Sequence, residues 1–211
     1  MTRETLTDRV SALASRRGVW WLLFLVCLLY SLFALDMFVT ELAVQTGKQL
    51  TGDVRPRHTP SAFLLHALLG SIALLTGILQ FNRTLFNFSR KIHRYTGRIY
   101  VVSIGIAGVT GMWSALFFDV PGTARVVFVL VGSWWLASTI GAWLFIRAGN
   151  VSQHRRWMTR SFAVSLFFVS FPVWVPTLQL LAPDAVAWPV GLLLAVGINA
   201  LIAEWLLHRG L

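Results

Sequence analysis

Residues 91–118 read KIHRYTGRIYVVSIGIAGVTGMWSALFF: three cations and an imidazole in the first eight positions, then twenty residues without a charge. A helix of about 20 apolar residues crosses the hydrocarbon core of a bilayer, so the junction near Arg98 marks a membrane border. Five more runs of this kind follow the same logic. The spans read approximately 19–39, 61–81, 98–118, 125–147, 159–181 and 186–207, which predicts an all-α bundle of six transmembrane helices. Pro60 opens the second span, Pro121-Gly122 turns between the third and fourth, and Pro183-Asp184 turns between the fifth and sixth.

Composition supports the same class. Of the 211 residues, 56% are hydrophobic and 12% charged, with a mean hydropathy of +0.70. A water-soluble domain carries about 25% charged residues, so this chain lacks the polar surface to stay in water. The formal net charge of +10 sits at the ends of the apolar runs. That placement points to anionic lipid headgroups rather than nucleic acid.

The first run, Val19–Val39, exceeds the roughly 7–15 apolar residues of a secretion-signal core and should remain as a helix. Before it, Leu6, Val10 and Leu13 recur at helical spacing among polar residues. The expected organisation is therefore a cytoplasmic amphipathic segment, 1–18, followed by one six-helix membrane domain, 19–211. Basic residues set orientation. With the N-terminus inside, only Lys48, Arg55, Arg57 and Arg125 of the 18 Lys and Arg residues fall outside. Both termini are then cytoplasmic, in a multi-pass protein of the bacterial inner membrane. Indole rings prefer headgroup depth, which suits Trp20, Trp21, Trp143, Trp157 and Trp205 at the inner border and Trp113 and Trp188 at the outer one. Trp134 and Trp135 lie deeper, and at least one should pack between helices.

The basic loop of 91–98 has a counterpart. QHRRWMTR (153–160) also opens with His-Arg and continues, after a one-residue shift, to Thr and Arg. The second and third spans, and the fourth and fifth, thus form two similar hairpins, which would place His93 and His154 at a common depth. Gly105, Gly108, Gly111, Gly191 and Gly197 mark expected close helix contacts. Pro172 and Pro176, one turn apart in the fifth span, remove backbone donors and favour a bend beside which a cavity could form.

No phosphate-binding glycine loop, His-Glu-x-x-His or nucleophile elbow is present, and the single Cys27 supplies neither a disulfide nor a zinc site. The sequence assigns no reaction, so whether the chain is an enzyme stays open. Histidines are the best remaining material. His93 and His154, on neighbouring spans at the inner mouth, could ligate the iron of a haem b, with Arg94 and Arg155 neutralising its propionates. The same residues could instead hold a quinone, or contact lipid phosphates. His66, opposed by no histidine on the fourth span, reads as a hydrogen-bonded packing residue. Glu204, in the last turns of the sixth span, either pairs with a cation, with Arg94, Arg98, Arg155 and Arg160 as candidates, or snorkels, solvated, at the interface.

The segments LTGILQF (75–81), HRYTGRIY (93–100), HRRWMTR (154–160) and Asn199–Glu204 resemble a bacterial family of predicted membrane proteins of unknown function. That resemblance covers the second to sixth spans and implies the fold without an activity. His93-x-x-x-Gly97-Arg98 is also similar to pieces of b-type membrane cytochromes, although those place opposed histidine pairs within their helices and this chain does not. Two function classes follow: a haem- or quinone-binding electron-transfer protein, or a non-catalytic subunit of a larger membrane complex or binder of anionic lipid. A small-molecule carrier is a third option, suggested by the duplicated hairpin and the proline bend.

Overall fold

The computed structural model describes residues 6–45, 61–82 and 88–209. Among them the chain is helical throughout, with α1 at Leu6–Gln45, α2 at Ser61–Gln80, α3 at Arg90–Ala115, α4 at Gly122–Arg147, α5 at Val151–Ser165, α6 at Phe167–Gln179 and α7 at Asp184–His208. The loop that holds His58, residues 46–60, and the tip of the basic loop, 83–87, lie outside the described residues.

Five stretches are long and apolar enough to cross a membrane: Arg17–Ala43, Ser61–Gln80, Gly122–Arg147, Val151–Gln179 and Asp184–His208. The 26 residues of α3 reach about 39 Å at 1.5 Å per residue, but its basic first turns and scattered Ser, Thr and Gly lower its hydropathy. This helix, the third expected span, carries the first of the two His-Arg pairs in its opening turns, and α5 carries the second.

Two boundaries differ from the sequence expectation. No break separates the described residues 6–18 from the first span, because α1 runs continuously from Leu6 through Gly18 to Gln45. The fifth span is interrupted at Leu166, giving α5 and α6. Pro172 and Pro176 both lie inside α6. Each lacks the amide hydrogen that would close a helical turn, and the interruption falls before the first of them.

Packing follows small residues and aromatic side chains. The hairpins α2–α3 and α4–α5 make the most extensive contacts, and α6 packs along α7. A β-carbon on Gly191 would press on the backbone of Val175 at 2.9 Å, and one on Gly108 would overlap Leu136. Gly105 and Gly197, by contrast, meet nothing, so only part of the expected glycine line makes contacts. The core holds Tyr100, Trp135, Ile78, Phe167 and Leu192, all essentially without exposure. Trp135 is the deeply packed tryptophan of its pair, for Trp134 is 46% exposed. Leu22, Leu29, Leu32 and Phe33 of α1 stay exposed, as lipid-facing side chains do.

At one end of the bundle, Arg147 lies over Trp143, Arg160 over Trp157 and Arg209 over Trp205, with guanidinium carbons 4.2 to 5.2 Å from the ring centres. Cation–π pairs of this type suit headgroup depth, where the cation is wet and the ring is not. These three pairs define the basic end of the molecule.

Candidate functional site

The repeated loops enter their helices in the same way. Ser89 caps α3, its side chain accepting from the Ile92 amide at 3.3 Å, and Asn150 caps α5, accepting from the Gln153 amide at 3.0 Å. Each cap lies four residues before its histidine, and the His93 and His154 amides donate to the carbonyls of Ser89 and Asn150. A short polar side chain at this position satisfies a free amide of the first turn. The duplication therefore extends upstream of the His-Arg pair to residues of different type, Ser and Asn. That shared role is the missed sequence signal.

It also extends downstream. Tyr100 stands seven residues after His93, and Ser161 seven after His154, so each pair shares a helix face two turns apart, about 10 Å along the axis. The Tyr100 hydroxyl meets the Ser161 hydroxyl at 2.8 Å. Among the described residues, the backbones of α3 and α5 make no close approach; the phenol bridges the gap. His93 and His154 lie on those same faces, toward the basic end, on the two sides of that gap.

Assigned from their hydrogen-bond partners, the two rings take opposite tautomers. Nδ1 of His154 lies 2.9 Å from the Ala142 carbonyl, which only accepts, so Nδ1 carries a proton and the ring, when uncharged, presents its lone pair at Nε2. Beside His93 stands the Gln80 amide. The roles of the neighbouring backbone groups orient it with its oxygen toward the Gly97 amide at 3.3 Å and the Thr96 hydroxyl at 2.6 Å, and its nitrogen toward the His93 carbonyl at 3.2 Å and Nδ1 at 3.0 Å. Nδ1 of His93 thus accepts, and its proton is on Nε2. Arg94 and Arg155, one residue along, are exposed.

Burial holds the His93 imidazole below its ordinary value of 6.5, and the charge of nearby His154 lowers it further. The consequence for stability has a definite sign. The unfolded chain binds the proton more tightly, so the contribution from neutral His93 is complete above pH 6.5 and is lost as pH falls toward the folded value. Thermal stability in detergent is expected to drop on acidification below that point. His93→Gln should flatten this part of the profile, and an unchanged slope would show that His93 is not the group responsible.

Between this mouth and the bundle centre lies a polar core that the sequence did not reveal. Tyr100 also reaches Ser165 at 3.2 Å, the Trp135 indole donates to Ser165 at 2.9 Å, and Thr139 meets Ser161 at 2.7 Å. Serines and threonines satisfy carbonyls one turn back in most apolar helices, so only contact across helices distinguishes these. All five side chains are buried.

Glu204 pairs with Arg160. The guanidinium donates through Nε at 2.6 Å and through Nη2 at 3.1 Å to the two carboxylate oxygens. Of the four arginines considered as partners, this is the one in contact. With side chains 23% and 40% exposed, the pair is screened, and Glu204→Gln should cost about 1 kcal/mol or less. A small drop in melting temperature that vanishes in an Arg160→Gln background would verify the pairing; full stability of the single variant would make it dispensable. Asn199, on the same helix, donates to Ser170 at 3.0 Å.

His66 lies toward the opposite end, where its Nδ1 meets the Ala107 carbonyl at 2.7 Å. This is the hydrogen-bonded packing role expected of it. Gly111 makes that position available, because any β-carbon there would collide with the imidazole. The bend region of α6 borders a cavity of about 400 Å³ beside His66. Among the described residues, no three His, Cys, Asp or Glu side chains group as a metal site.

No curated protein and no solved structure matches the chain. A family model described as a predicted membrane protein, DUF2306, matches residues 63–207, from the start of α2 to the end of α7 and so across both His-Arg loops. The chain is an integral membrane protein that belongs to this family.

Proposed function

We propose that the protein is a quinone-binding electron-transfer protein whose headgroup site lies at the basic end, between His93 and His154. The observation that carries this reading is the pair of opposite tautomers on facing helices. One imidazole offers an N–H donor and the other a lone pair, which suits a ring that interconverts between carbonyl and hydroxyl. Bis-histidine haem ligation needs a lone pair on both ligating nitrogens. The Gln80 contact opposes that at His93, so the haem alternative is the weaker one. Arg94 and Arg155 would supply positive potential for a reduced, anionic ring.

The basic end faces the cytoplasm in this reading, because Lys and Arg accumulate on that side. Cysteine-accessibility labelling in intact bacterial cells should reach residues 45–58 from outside and leave residues 84–92 protected; labelling of the latter would reverse the orientation. For the function itself, purified protein is extracted with organic solvent and its oxidised-minus-reduced ultraviolet and visible spectra are recorded. A quinone band without a Soret band supports the proposal. A Soret band would replace it with the haem alternative. A colourless protein without quinone that co-purifies with partner subunits would favour an accessory role.

A further inference from the structure

The 400 Å³ cavity is within the size range of sites for small organic ligands, and its walls are specific about what they accept. Phe63, Phe128, Phe168, Phe171, Trp135 and Trp188 contribute rings, and no Asp, Glu, Lys or Arg lines it. A charged ligand would be left without a counter-ion in such a site. Phe63 and Phe168 flank the His66 imidazole with ring centres 6.1 and 5.1 Å away. Nδ1 of His66 must donate to the Ala107 carbonyl, so Nε2 carries a lone pair, and among the described residues nothing donates to it. His66 lines the chamber, so this acceptor nitrogen is left to be met by the chamber's contents. It selects a ligand that brings an O–H.

We propose that this cavity binds one uncharged, membrane-soluble phenolic compound of the hydroquinone type, its ring against the aromatic wall and its hydroxyl donating to Nε2 of His66. The chamber reaches the bend made by Pro172, Val175 and Pro176 of α6 and the α1 residues Phe33, Ala34 and Met37. Its contents therefore meet apolar side chains on both flanks. The site is separate from the His93–His154 mouth, at the other end of the bundle, and stands independently of that reading.

The test uses the full chain purified in detergent, with decylubiquinol as probe under reducing conditions and quenching of tryptophan fluorescence as readout, since Trp135 and Trp188 line the chamber. Wild-type protein should bind decylubiquinol at least about tenfold more tightly than its dimethyl ether, which keeps the ring and loses both donors. His66→Leu should remove that preference by weakening the quinol alone. Ala67→Phe, which places a ring in the cavity without touching the His66 hydrogen bond, should block both compounds when combined with His93→Ala and His154→Ala, which remove the basic-end site. The double variant His93→Ala with His154→Ala should retain quenching even if no quinone binds at the basic end. Equal affinity of wild-type protein for the quinol and its ether would overturn the proposal without recourse to any variant. Competition by dodecanol as strong as by the quinol would assign the cavity to an aliphatic lipid alcohol and overturn the aromatic assignment. Loss of quenching in the double variant alone would place the ligand at the other mouth.

Discussion

Trp135→Ala is expected to lower stability by about 3 kcal/mol, the cavity contribution of a lost buried indole. Hydrophobic transfer contributes little here, because lipid tails are as apolar as the bundle interior. What disappears is dispersion contact with Phe168, whose ring centre lies 5.4 Å away, together with the donor to Ser165. Trp135→Phe separates the two effects. It keeps a ring and loses the N–H, and cross-helix hydrogen bonds in membrane proteins average only about 0.6 kcal/mol. Unfolding in a denaturing detergent series should therefore rank alanine far below phenylalanine. Comparable losses for both would mean that the polar core, rather than packing, dominates stability.

The second large effect concerns ligand affinity. Read in an Ala67→Phe background that closes the separate His66 cavity, His154→Ala removes the acceptor nitrogen at the basic end and should weaken binding of decylubiquinol there about tenfold or more, as loss of a partner for a buried hydroxyl does. His93→Ala should act mainly on the oxidised form, decylubiquinone, whose carbonyl needs the donor. Arg94→Gln and Arg155→Gln, at exposed positions, should change affinity only a few-fold and in a salt-dependent way. Equal losses for both redox forms in each histidine variant would contradict the assignment of one donor and one acceptor.

The membrane architecture was legible because twenty-residue apolar runs and basic flanks have one physical solution. The duplication was visible in His-Arg but understated, since Ser89 and Asn150 perform one capping task with different side chains. The fifth span shows the limit of pattern reading. Pro172 and Pro176 announced a disturbed helix, yet the interruption at Leu166 and the cavity beside it depend on how α6 packs on α7 and α1, which no local pattern encodes. Trp135 was expected to pack between helices, but its hydrogen-bonded link to Tyr100, Ser161 and Ser165 was invisible for a related reason. Hydroxyl and indole groups are common in such helices, and only the relative rotation of α3, α4 and α5 turns them into a connected set. His66 read as a packing residue, and its Nδ1 contact fits that role; its second nitrogen acquires meaning only from the cavity.

Nitrogen NMR of protein carrying isotope-labelled histidine tests the central assignment most directly, because the two neutral tautomers give distinct ring-nitrogen shifts. At neutral pH the proton of His93 is expected on Nε2 and that of His154 on Nδ1, with both resonances moving when decylubiquinone is added. The same tautomer in both rings, or quinone binding that leaves both signals in place, would contradict it.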